Sequence, residues 1–226
     1  RIASASANFQ EETGRIFVPY YDAAMALDYV NSYIVEFRTD ELLALTALIN
    51  GNGSALDVNA LLLLPNNRLP KRRAQVSRAG GTTFTHNGEP LQALTASGWW
   101  GYVPHYLNGA FATIATIPTG GITASATSIT FATAQTIEVG SYLRSESELL
   151  YVSARDAALK VFTVARGQLG TTAAFHAQTL ALEAFTPYPV AREAVRQMAV
   201  WMYLHKDAIG ARQTVISGGV VVVEDI

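Results

Sequence analysis

Cysteine is absent from the 226 residues. Its absence excludes a disulfide framework, a thiolate zinc site and a cysteine nucleophile, and it is compatible with assembly in a reducing cytoplasm. Charge is also scarce. Asp, Glu, Lys and Arg make up 15% of the chain, against ~25% in an ordinary soluble domain. The formal net charge is −2 and the pI is near 6.1, a balance that argues against a dedicated nucleic-acid binder held by phosphate contacts. Long apolar runs are missing too. The longest, Met198 to Leu204, gives way at once to His205, Lys206 and Asp207, far short of the ~18 residues that a membrane-spanning helix needs. Arg1 to Ala7 are too polar to form the apolar core of a signal peptide. The chain opens without Met and closes on Val220-Val221-Val222-Val223-Glu224-Asp225-Ile226. Both ends read as edges of a longer product, the last also as a strand awaiting a partner.

Half of the residues are hydrophobic, so the chain has enough apolar surface for a real core and is not disordered. Residues 1–13 carry helical spacing and stop at Gly14. Strand patterns follow at Ile16–Val18, Tyr29–Phe37 and Leu42–Ile49. Asn50-Gly51-Asn52-Gly53 is a hairpin signal, with Val58–Leu64 as the expected partner strand. Arg73–Ser77 and Glu89–Ser97 continue the β pattern as far as Gly98-Trp99-Trp100-Gly101-Tyr102, an aromatic knot between glycines. Residues 108–124 are rich in Gly, Ala, Thr and Pro and read as a connection. Short strands at 128–131, 141–144, 148–152 and 159–164 suggest a small barrel or sandwich. One segment changes period: after Pro189, placed well for a first helical residue, Val190, Ala194, Met198 and Met202 recur at i+4 steps, and Gly210 is a plausible stop. The second half of this helix is apolar nearly all round, which means burial on more than one side, either in a core or between subunits.

The expected fold class is α+β: mainly antiparallel β modules, with one long C-terminal amphipathic helix and a remnant N-terminal helix. The expected organisation is the end of a helical part at 1–14, a first β domain at 15–107, a connection at 108–124, a second small β module at 125–186, the long helix at 187–210 and a tail at 211–226.

Catalytic and metal-binding patterns are not found. None of His86, His105, His176 and His205 has a ligand partner at metal-binding spacing. His176 reads as a turn or surface residue, and His205 as a cap on the helix dipole. Ser54 sits in a turn without a nearby base. Gly167–Thr172 lacks the Gly-Lys-Ser/Thr ending of a phosphate loop. Glu146 and Glu148 lie two apart in an expected strand and would share a solvated or ion-paired face. No catalytic residue, cofactor or metal is expected. One charge asymmetry stands out: Arg68, Lys71, Arg72, Arg73 and Arg78, with no acid between Asp57 and Glu89. These five are candidate contacts to DNA or an acidic partner, or else a solvated loop. Trp99 and Trp100 could plug a core or interface, or, with Tyr102, form a stacking platform for a glycan.

Several stretches in order resemble tailed-bacteriophage head–tail connector (adaptor, neck) proteins. They are Ala7-Asn8-Phe9-Gln10-Glu11-Glu12-Thr13-Gly14-Arg15-Ile16-Phe17, Glu41–Thr46 leading through the Asn50–Gly53 turn to Leu61–Pro65, and Leu94–Tyr102. The most specific is Gly140–Val152, followed by Leu159–Gly167 and Gly170–His176, an order that is similar to one recurring in phage structural proteins, including tail and fibre proteins. The Pro189–Ala208 segment with Trp201-Met202-Tyr203 looks like the late helix of adaptors. The N-terminal helices usual in that group are reduced here to residues 1–13. The resemblance implies a non-enzymatic virion protein forming a homo-oligomeric ring, twelve-fold, beneath the portal protein. There it would extend the DNA channel, dock the next neck or tail protein and touch packaged DNA non-specifically, with no membrane partner and with assembly in the host cytoplasm. Val195, Met198, Trp201, Met202 and Leu204 would form the subunit or portal interface. A tail, baseplate or fibre protein, or a glycan-binding β module, is the alternative.

Overall fold

The computed structural model describes residues 2–37, 41–77, 82–205, 211–216 and 220–225. The fold is α+β, built from antiparallel sheets and two helices, and it divides into two compact units, Ile16–Tyr188 and the two flanking segments Arg1–Arg15 and Pro189–Ile226.

The larger unit begins with a β domain of two sheets. The strands are β1 (Tyr20–Leu27), β2 (Ile34–Glu36), β3 (Leu42–Ile49), β4 (Ala55–Leu56), β5 (Leu61–Leu64), β6 (Arg73–Val76) and β7 (Leu94–Trp100). They form one sheet of order β1-β7-β3-β4 and a second of order β2-β6-β5. A single core joins the two: Leu27, Val35, Phe37, Leu42, Leu48, Ala74, Val76, Phe84, Leu94, Ala96 and Trp100. Alternation in β7 sends Leu94, Ala96 and Trp100 to this core, as a strand with one buried face requires.

Two expectations are corrected here. The Asn50–Gly53 turn does close a hairpin, but the partner of β3 is β4, through Leu48↔Leu56 and Ile49↔Ala55. The leucine run at β5 pairs instead with β6 in the other sheet. The first strand begins at Tyr20, after the expected Ile16–Val18.

The second β module is a six-stranded sheet of β8 (Phe111–Thr116), β9 (Ser128–Thr130), β10 (Tyr142–Ser145), β11 (Glu148–Arg155), β12 (Val161–Ala165) and β13 (Ala181–Phe185). Its order is β8-β13-β10-β11-β12-β9, so it is open and does not close as a barrel. Residues 108–124, expected as a connection, contain β8, which forms one edge of this sheet against β13. Ile117, Ile122, Ile129, Phe131, Ile137, Leu143, Leu150, Val152, Phe162, Val164 and Leu182 fill the core.

A third apolar cluster is the seam between the two β modules: Leu43, Trp99, Val103, Ala110, Phe111, Leu149 and Phe185. β11 therefore buries both faces, Leu150 and Val152 in the second core and Leu149 in the seam. The Tyr21 N–H donates to the Leu169 carbonyl (2.8 Å) and fixes the same seam by backbone. Gly170 lies beside this contact at φ +83°, and a Cβ there would run into the Tyr21 carbonyl. Only glycine fits both demands.

In the smaller unit, α1 (Ile2–Thr13) packs against α2 (Pro189–Leu204), with the small side chains of Ala5, Ala191 and Ala199 buried. Gly14, at φ +61°, ends α1. Its N–H donates to the Glu11 carbonyl and that of Arg15 to the Gln10 carbonyl (both 3.2 Å), the paired bonds of a Schellman stop. α2 starts at Pro189 as expected. It is described to Leu204, and its expected stop at Gly210 lies outside the described residues. β14 (Ala211–Ile216) and β15 (Val220–Asp225) form an antiparallel hairpin. Among the described residues, no helix is long and apolar enough to cross a membrane.

Candidate functional site

Three places gather the residues that could act: a buried charge network, a basic groove and the outer face of α2. The network is built by strand parity. Glu148 shares the core-facing phase of β11 with Leu150 and Val152, and Arg166 continues that of β12 after Phe162 and Val164. The carboxylate is fully buried, yet it accepts five hydrogen bonds: from Arg166 Nε and Nη2 (both 2.7 Å), the Gly167 and Ala174 N–H groups (both 2.9 Å) and His176 Nε2 (2.8 Å). Desolvation alone would raise its pKa. The Arg166 guanidinium, the two backbone N–H groups and His176 outweigh that and hold it near 2, against an ordinary 4.5. Arg166 also donates to the Thr123 and Ala174 carbonyls. His176 is 1% exposed and turns its second ring nitrogen to Glu146 (2.8 Å).

The expectations for these residues are corrected. His176 is buried in an isolated bridge with Ile122, not at the surface. Glu148 is ion-paired, one of the two expected alternatives, but with Arg166 in an enclosed site rather than on an open face. Glu146 lies in the β10–β11 turn at φ +52°, not in a strand. Five donors saturate the Glu148 carboxylate, so no lone pair remains for a substrate or metal. The network ties the 166–176 loop to β11, a structural task. No group of three metal-ligating side chains occurs among the described residues.

The basic cluster separates into different roles. Arg68, Arg72 and Arg73 line an open groove of about 770 Å³ together with Glu36, Leu64, Pro65, Leu69, Pro70, Tyr102, Pro104 and Tyr188. The Lys71 ammonium turns to the chain itself, donating to the Pro65 and Asn66 carbonyls (both 2.8 Å). Burial lowers its pKa. Lys71 braces the loop that presents Arg68. Arg78 lies outside the described residues.

On α2, Val195, Met198 and Met202 are half-buried, while Trp201 and Leu204 are exposed at 55% and 69%. Val190, Val200 and Tyr203 are exposed too. The covered stripe runs along Ala191, Ala194, Val195, Met198, Ala199 and Met202, so it keeps Ala194, Met198 and Met202 of the expected row and leaves Val190 outside. Trp201 stacks on His205 (4.8 Å between centroids), whose Nδ1 lies 2.9 Å from the Trp201 carbonyl. The aromatic knot is internal: Trp100 is fully buried in the first core and Trp99 is buried in the seam, so neither indole offers a face to a glycan.

No protein-family model, curated protein or solved structure matches the chain.

Proposed function

We propose that the chain is a non-enzymatic structural subunit of a tailed-phage particle, a head–tail connector. It forms a ring beneath the portal protein, extends the DNA channel and docks the next neck or tail component in the virion. The observation that carries this reading is the outer face of α2. Val200, Trp201, Tyr203 and Leu204 are large and apolar, and each is more than half exposed after α1 has packed on the helix. A patch of this kind on a subunit marks an association surface, and aromatic side chains such as Trp201 and Tyr203 are the usual anchors of interfaces. A closed ring needs two different surfaces on each copy that are complementary to one another, and the low charge of the chain suits a protein surrounded by neighbours.

Mass photometry of the purified protein, alone and with portal protein, tests the reading. A ring that forms with or is stabilised by the portal is expected. A stable trimer indifferent to the portal would point to a tail or fibre component and end the connector proposal.

A further inference from the structure

The groove at Arg68, Arg72 and Arg73 is left unexplained by assembly through α2. We infer that it receives an extended, acidic segment of a protein chain. The carboxylates of that segment would meet the three guanidinium groups, and its apolar side chains would lie on Pro65, Pro70, Pro104, Tyr102 and Tyr188. The inference rests on the groove alone and not on the connector reading.

Pairing is the first argument. In the six-stranded module every arginine holds a carboxylate: Arg144 with Glu183, Arg155 with Glu138 and Arg166 with Glu148. Arg68, Arg72 and Arg73 are exposed and form no ion pair among the described residues, although Glu36 is the register neighbour of Arg73. Three like charges in one groove repel one another until an anion arrives, and planar guanidinium forks suit carboxylate geometry.

Presentation is the second argument. Lys71 anchors the 65–70 loop from beneath through two carbonyls, and the backbones of Lys71 and Leu42 exchange two hydrogen bonds (2.7 and 3.1 Å). Arg68 therefore stands on a braced loop, Arg72 is held through its backbone by Leu64 and Phe37, and Arg73 opens β6, which lowers the ordering cost of binding. The groove volume falls within the range of ligand sites, roughly 300–1,000 Å³.

Nucleic acid fits less well, for two reasons. Tyr188 stacks on His105 (5.7 Å), and Tyr102 packs edge-on against Phe17 (5.7 Å) and Tyr188 (6.4 Å). The rings are thus wall elements rather than a free platform for bases. The chain also has no net positive charge to hold a long polyanion beyond the groove, whereas a short acidic segment needs only the local cations within about one Debye length.

Fluorescence anisotropy on the full chain at low salt tests this with three labelled probes: a ten-residue peptide alternating Glu and Ala around a central Phe, the same peptide with Lys for Glu, and a ten-nucleotide oligothymidine. The acidic peptide should bind, the lysine peptide should not, and the oligonucleotide should bind more weakly than the acidic peptide. The double variant Arg68→Ala/Arg72→Ala should weaken the acidic peptide about tenfold or more. Arg72→Lys should weaken it less, and Arg192→Ala on α2 should leave it unchanged. Thermal melts followed by circular dichroism verify folding, and Arg68→Gln replaces the double variant if that one unfolds. Tighter binding of the oligonucleotide, indifference to the arginine substitutions, or no binding of the acidic peptide would each overturn the inference.

Discussion

Glu148 is the residue that ties the 166–176 loop to β11 in the second β module. A buried carboxylate is costly unless its partners are complete, and here Arg166, His176 and two backbone N–H groups complete them. Removing one partner leaves the other charge stranded. Glu148→Gln should therefore destabilise the protein by about 3–5 kcal/mol, read as a lowered urea midpoint at pH 7. The same group predicts an acid dependence. Its folded pKa, near 2, lies below its ordinary 4.5, so its stabilisation is complete above about pH 4.5 and is lost as pH falls toward 2, an effect on the order of 3 kcal/mol. Urea titrations across that window should show a steeper loss for the native protein than for Glu148→Gln. Parallel curves would show that another group controls acid unfolding. The residue was half-legible in sequence: its parity with Leu150 and Val152 marks a core-facing position, and Arg166 repeats the phase of Phe162 and Val164. That His176 closes the network from a loop could not be read from spacing, because the contact spans 28 residues.

At the scale of elements, the helices and hairpins follow local rules while their partners do not. Pro189 and Gly14 punctuate α2 and α1 as their chemistry dictates. The i+4 row of α2 was visible, but which side lies against α1 depends on where small side chains permit close approach, at Ala5, Ala191 and Ala199. That choice leaves Trp201 outward, and it is the basis of a prediction. Trp201→Ala should reduce assembly measured by mass photometry, while the thermal midpoint of the monomer shifts little, since the side chain is 55% exposed. Loss of monomer folding instead would make the helix a core element. Among the strands, the turn at Asn50–Gly53 was legible because its residues accept the needed backbone angles. Pairing of β3 with β4, and of β5 with β6, was not, since several apolar strands satisfy the same local pattern.

For the molecule as a whole, the seam decides whether the two β modules behave as one. Phe111 and Phe185 meet at 5.5 Å, and the Arg144 guanidinium lies 3.9 Å from the Phe111 ring centroid. Trp99 and Leu149 complete the cluster from opposite modules. Phe111→Ala should cost about 3–5 kcal/mol and broaden or split the calorimetric transition, whereas a substitution confined to one core, such as Leu143→Ala, should lower the midpoint of a single transition. An unsplit transition in Phe111→Ala would show that backbone contacts, including Tyr21 to Leu169, suffice to couple the modules.

The sequence by itself determined what depends on neighbours along the chain: the α+β class, the helix boundary signals, the period-two strands, the turn chemistry and the segregation of basic residues to 68–78. Tertiary structure alone decided which strands pair, that residues 108–124 supply an edge strand, that Trp99 and Trp100 are spent on packing, and that Lys71 turns inward while three arginines line a groove. The physical reason is common to all of these. Local propensity acts over a few residues, whereas burial, ion pairing and strand order are settled by competition among segments far apart in sequence, and only the folded chain brings those competitors into contact.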